Sequence, residues 1–111
     1  MKDRTVVVTG LGVVSPVASE LGLFWENIKN GVSGIDRVTA MDDIDQYPVQ
    51  IGGEIRDLDT EKFVDKKELR KMDPFSVWGI AAAMMAVEDA ALNPEELDCE
   101  RVGVLTSSGI G

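Results

Sequence analysis

With 111 residues, 44% of them hydrophobic and 28% charged, the chain has room for one globular domain with a small core, and its composition is not that of a disordered segment. A net charge of −9 argues against nucleic acid as a partner, because phosphate contacts need clustered Lys and Arg. A single cysteine and no histidine exclude an internal disulfide, fit a reducing compartment and supply no His/Cys cluster for a metal, so neither metal nor cofactor is expected.

Thr5–Val8 is β-branched and apolar after the threonine, which predicts a strand buried on both faces. Gly10 and Gly12 turn it, and Val13-Val14 continues extended until Pro16 removes a donor. Ser19 is the expected N-cap of a helix over Glu20–Asn30, with Leu21, Phe24, Trp25 and Ile28 at helical spacing and Gly31 as the stop. From Val32 to Asp59 the pattern predicts a loop-rich insertion with small strands. Val49–Ile55 is one of these, with Gly52-Gly53 as a bulge or turn.

Thr60–Met72 is charged and expected to be helical. Asp73 then caps, and Pro74 opens at its first position, a helix running to Leu92, where Asn93-Pro94 ends it. Val77, Trp78, Ile80, Ala81, Ala82, Met84, Met85 and Val87 spread round nearly all of that helix, so it needs cover on most sides, and one small domain offers little. The apolar run Phe75–Val87, about 13 residues, falls short of the roughly 18 a membrane-spanning helix needs. The amino terminus lacks the pattern of a signal peptide, and a soluble cytoplasmic protein is expected. Val102–Leu105 reads as a second buried strand, and the Thr106–Gly111 stretch TSSGIG follows without the crossover such a loop normally feeds, as in a sequence cut short.

Four motifs invite chemistry. Thr9-Gly10-Leu11-Gly12 fails the dinucleotide fingerprint, because Ser15 stands where a third glycine belongs and Pro16 follows; a tight turn on a buried strand is the better reading. Cys99 lies among Glu95, Glu96, Asp98 and Glu100, which disfavour an anionic neighbour, and no histidine can act as its base; it reads as a surface thiol. Lys67, Arg70 and Lys71 share one helical face beside Lys66; Glu61, Asp65 and Glu68 are near enough to make this an ordinary solvated face. TSSGIG is an anion nest, the wall of a channel or a plain turn, and sequence does not separate these.

Taken together, VVVTGLGVVSPV, WENIKNGVSGI, ELRKMDPFSVWGIAAAMMAVEDAAL and RVGVLTSSGIG resemble, in order and spacing, the elongating condensing enzymes, the β-ketoacyl-acyl-carrier-protein synthases, most of all the synthase II type. The resemblance covers essentially the whole chain but only the amino-terminal part of those longer proteins. It implies an α/β fold, the first part of a thiolase-like arrangement with a mixed sheet and buried helices, incomplete in this chain. Residues 1–111 would be the amino-terminal portion of a synthase domain, ending before its catalytic residues. The family joins an acyl group, held as a cysteine thioester, to malonyl-carrier protein with loss of carbon dioxide, using two histidines and a lysine. None of those residues can be carried onto this chain, so by itself it is expected to be inactive.

The resemblance also implies a homodimer, acyl and malonyl thioester substrates, and acyl carrier protein as partner, docked on Lys67, Arg70 and Lys71. Ile110 matches a residue of the acyl-pocket wall. Ser107 departs from a glycine common in relatives. The chain-length factor of polyketide synthases, a paralogue without the nucleophile, has similar early blocks. A non-catalytic partner subunit or dimerisation module therefore stays open beside the enzyme, although RKMD and Ile110 lean toward type II.

Overall fold

The computed structural model describes residues 3–110; Met1, Lys2 and Gly111, the last residue of the TSSGIG stretch, lie outside them. The elements are α1 (Leu21–Lys29), β1 (Ile35–Arg37), β2 (Ile51–Gly53), α2 (Lys66–Leu69) and α3 (Pro74–Asp89), with short 3-10 turns at Ile44–Gln46, Thr60–Lys62, Pro94–Glu96 and Cys99–Arg101.

The first segment corrects the strand expected at Thr5–Val8. It has no ladder partner among the described residues, and Val6 is 90% exposed. A strand is defined by its neighbour's hydrogen bonds, and β-branched residues supply the propensity but not the neighbour. The expected turn at Gly10 and Gly12 is also corrected. Here the backbone passes straight along α3, and both glycines are points of close approach. A methyl group on Gly12 would overlap the Ala82 carbonyl, and one on Gly10 would overlap the Ala86 carbonyl and stand 2.6 Å from the Ala90 Cβ. The spacing is a match of two repeats. Two residues of extended chain advance about 6.6 Å and four residues of helix about 6 Å. A Gly-x-Gly pair therefore runs along the Ala82, Ala86, Ala90 row with small residues on both sides. Leu11 N donates to Asp89 Oδ2 at 2.9 Å and secures the far end of the row.

Ser15 then turns the chain into α1. Its Oγ accepts from the backbone N–H of Val17 and Ala18, each at 3.2 Å, and donates to the Ala18 carbonyl at 2.9 Å. Glu20, not Ser19, is the N-cap. Its carboxylate accepts from Gly22 N at 2.8 Å and Leu23 N at 2.7 Å, two bonds where a serine hydroxyl makes one, and these bonds lower the Glu20 pKa. Gly31 stops the helix as expected, at φ 67°. It lies in a Schellman closure in which Val32 N reaches the Asn27 carbonyl at 2.9 Å.

The insertion folds as one antiparallel hairpin of β1 and β2. Gly52 and Gly53 pair regularly with Asp36 and Ile35, so the bulge or turn expected there is absent. Gly34 and Gly53 lie against Pro16, where a Cβ would come within 2.7 Å of proline atoms, and this seats the hairpin on the end of the first segment.

The helix expected over Thr60–Met72 is broken into the Thr60–Lys62 turn and α2. Asp73, preceding Pro74, is held extended at ψ 149°, which separates α2 from α3. Asp73 takes the N-cap position without a side-chain bond, its carbonyl accepting from Ser76 N at 3.0 Å. α3 ends at Asp89, three residues before the expected Leu92. The cause is a second Schellman closure, with Leu92 N on the Val87 carbonyl at 3.2 Å and Ala91 at φ 50°.

Only Ala18, Ile44, Val77 and Ala81 are buried among the described residues, and α3 is covered along one strip while Phe75, Met84 and Val87 stay exposed. Val102–Leu105 likewise forms no ladder, with Val104 88% and Leu105 96% exposed, correcting the second buried strand.

Two substitutions test these contacts. Gly12→Ala should destabilise the chain by about 1–3 kcal/mol in denaturant unfolding, because backbone must move to admit the methyl group. Gly103→Ala, where nothing stands within 4 Å, should cost far less. Ala91→Gly should stabilise by about 1 kcal/mol, since it removes the Cβ penalty of a left-handed residue.

Candidate functional site

The basic turn is built on a short helical frame. The Asp65 carbonyl accepts from Glu68 N at 2.8 Å and Leu69 N at 3.0 Å, and Lys71 N continues the turn onto the Glu68 carbonyl at 2.9 Å. Phe63, Val64, Leu69 and Met72 are partly buried and anchor the turn, while every charged residue from Asp65 to Lys71 points to solvent. Lys71 Nζ pairs with Glu68 Oε1 at 2.7 Å, and Lys66 Nζ with Glu61 Oε1 at 3.4 Å. Lys67 and Arg70 make no ion pair among the described residues. Of the three positions expected to act together, two are thus unneutralised and the third is tied by an exposed pair that stabilises little.

Ile110 is 98% exposed. Its neighbours Thr106, Ser107 and Ser108, with Val104, form one wall of an open groove of about 530 Å³ whose other wall is Phe75, Ser76, Gly79, Ile80 and Ala83 of α3. Cys99 is exposed, as expected, and its Sγ lies 3.7 Å from the Leu97 carbonyl. No described helix is long and apolar enough to cross a membrane.

Sequence reasoning missed the most ordered polar centre, which is Glu54. Its carboxylate, only 17% exposed, accepts from Arg56 Nη2 at 2.9 Å, from Ala40 N at 2.8 Å, and from Thr39 N and Oγ1 at 2.9 Å. Arg56 also bonds the Arg37 carbonyl at 2.8 Å and Asp36 Oδ2 at 3.3 Å. Arg37 in turn holds Gln50 at 2.6 Å and pairs with Asp45. The Arg56 guanidinium, then the Ala40 and Thr39 amides, depress the Glu54 pKa to about 2. The available signal was Glu54 and Arg56 two residues apart beyond a strand, on one side of extended chain.

With this geometry in place, the fold corresponds to that of a ketosynthase. It superposes on the ishigamide ketosynthase/chain length factor with a TM-score of 0.70 and 26% identity, over 82% of this chain and 22% of that one. Residues 3–111 match the family model described as beta-ketoacyl synthase, N-terminal domain. The chain belongs to the β-ketoacyl synthase family. Among curated relatives it is 42% identical over 110 residues to 3-oxoacyl-[acyl-carrier-protein] synthase 2 of Staphylococcus aureus (strain COL), covering 99% of this chain and 26% of the relative. It is 38% identical over 111 residues to the protein of the same name from Synechocystis, again covering 26% of the relative. The chain therefore spans about a quarter of the length of the curated relatives it matches.

The folded Glu54 carboxylate sits at about 2, whereas a free glutamate titrates near 4.3. Its hold on the 39–40 loop is therefore fully present above about pH 4.3 and is lost as pH falls through 2. The amide resonances of Thr39 and Ala40 should titrate with a midpoint near 2, and a midpoint near 4 would show the carboxylate to be free.

Proposed function

We propose that this chain is the amino-terminal part of a 3-oxoacyl-acyl-carrier-protein synthase of the type 2 class, and that it presents the docking face for the acidic carrier protein. In that reaction an acyl group on a cysteine thioester is attacked by the carbanion that malonyl-carrier protein forms as it loses carbon dioxide. The thiolate leaves, and a 3-oxoacyl thioester results. The nucleophile and the two histidines lie in the rest of the complete protein, and these 111 residues hold no histidine.

What supports the docking role is the charge arrangement. In a chain of net charge −9, Lys67 and Arg70 stand exposed on a hydrogen-bonded turn with no ion pair among the described residues, with Lys71 beside them. Carboxylates of a partner can bind there without first displacing an internal pair. Such a patch acts mainly on encounter rate and weakens with salt. Ile110, beyond the groove wall formed by Thr106–Ser108, is proposed as part of the acyl-pocket wall once the rest of the domain closes over it. A cytoplasmic homodimer completes the reading. A second reading, a non-catalytic chain-length-factor-like subunit, is favoured by the likeness to a solved structure titled with both roles.

In the complete protein, Lys67→Glu with Arg70→Glu should raise KM for carrier-bound substrate about tenfold or more at low salt, with kcat little changed. A small pantetheine thioester should be used nearly as well as before. Equal losses with both substrates would assign the turn to folding. The 111-residue chain alone should form no 3-oxoacyl product from malonyl-carrier protein and an acyl donor; turnover would overturn the proposed division of the protein.

A further inference from the structure

The turn that carries the basic face also carries a competitor for it. Lys66–Lys71 holds four cations and one carboxylate, a net +3 in a chain of net charge −9. That carboxylate is Glu68, between Lys67 and Arg70 in sequence. Its main-chain carbonyl accepts from Lys71 N at 2.9 Å, which holds the two residues one turn apart. Lys71 Nζ then lies 2.7 Å from Glu68 Oε1. The other pair on this stretch, Lys66 Nζ to Glu61 Oε1, is looser at 3.4 Å, and its carboxylate stands outside the cluster.

The Lys71–Glu68 pair adds little to the fold. Lys71 is 67% and Glu68 49% exposed, and a pair so placed is worth little to stability. The turn is framed instead by the main-chain bonds to the Asp65 and Glu68 carbonyls and by the partly buried Phe63, Leu69 and Met72. The same exposure leaves both partners within reach of another molecule. A carboxylate arriving from outside meets Lys67 and Arg70 without an ion pair among the described residues, and meets Lys71 already held.

We infer that Glu68 is an internal counter-charge that sets the strength of this docking face, holding Lys71 until a carboxylate of the acidic carrier protein displaces it. The inference rests on the proposed reading of this face as the carrier's docking site. Lys67 and Arg70 make the first contacts and Lys71 the last. Glu68 weakens docking in two ways. Its charge lowers the attraction an acidic partner meets on approach, and its bond to Lys71 must break before the third cation can serve. A carrier that delivers an acyl group must also leave, and a tempered face releases it sooner. Glu68 touches no reacting atom; it acts through Lys71.

The test measures association of the complete protein with an acyl carrier protein by stopped-flow fluorescence. Salt is set at about 0.01 M and about 1 M, where the screening length is about 30 Å and about 3 Å. At low salt, Glu68→Gln should raise the association rate about threefold to tenfold and lower Kd by at least as much. At high salt the gain in rate should disappear. Glu68→Asp, which keeps the charge, should stay near the unsubstituted protein. In a Lys71→Gln background the gain in affinity from Glu68→Gln should fall to less than half, because no pair is left to break. An undiminished gain there would show Glu68 acting by repulsion alone and overturn the displacement. Unchanged association in Glu68→Gln, while Lys67→Glu with Arg70→Glu still weakens binding, defeats only the inference. Unchanged binding in that double reversal defeats the docking reading beneath it.

Discussion

The contact on which the structure depends is the passage of Gly10 and Gly12 along the Ala82, Ala86, Ala90 row of α3. Backbone meets helix there with almost no side chain between them. The long helix and the first segment thereby act as one rigid pair. Every later feature is placed from that pair. Ser15 turns the chain just beyond it, and Asn27 Nδ2 ties α1 back to the Val17 carbonyl at 3.1 Å. Pro16 provides the seat into which Gly34 and Gly53 fit. The hairpin, far from α3 in sequence, is thus positioned by two glycines against one proline.

Charge is distributed to serve this scaffold before it serves any partner. In the hairpin, arginines and carboxylates pair with one another. Glu54 in particular is held by four protein donors that water would otherwise supply. A carboxylate anchored by backbone amides orders a loop more effectively than an exposed ion pair does, because the amides are already fixed in position. The 60–71 stretch is organised differently. Its ion pairs are exposed, and among the described residues Lys67 and Arg70 make none. One region ties its charges into its own structure, and the other leaves two cations facing solvent.

The small core follows from the same geometry. With two extended segments unpaired, the apolar residues of α3 have one strip of contact, and only Val77 and Ala81 of that helix are buried. The deficit is one of missing neighbours, because the helix is almost uniformly apolar and would accept cover on its remaining faces. A domain that spreads its sheet over widely separated parts of its sequence leaves any one part in this condition. Here the chain spans about a quarter of its curated relatives.

Local chemistry determined a good deal of this protein by sequence alone. The extent of α1, its stop at Gly31, the start of α3 at Asp73-Pro74, the exposure of Cys99 and the family itself were all legible. Each depends on residues within a few positions of one another or on blocks in fixed order. Tertiary structure decided the rest. Gly10-Leu11-Gly12 looked like a turn because two glycines suit one, but only the alanine row across from it explains why they are glycine. Glu54 stood out only through Arg56 two residues on, because its remaining donors lie fourteen and fifteen residues away in a loop without pattern. Thr5–Val8 and Val102–Leu105 carry the residues of buried strands and are exposed, because propensity is a property of a segment, whereas a strand and its burial belong to the neighbours that pair with it and cover it.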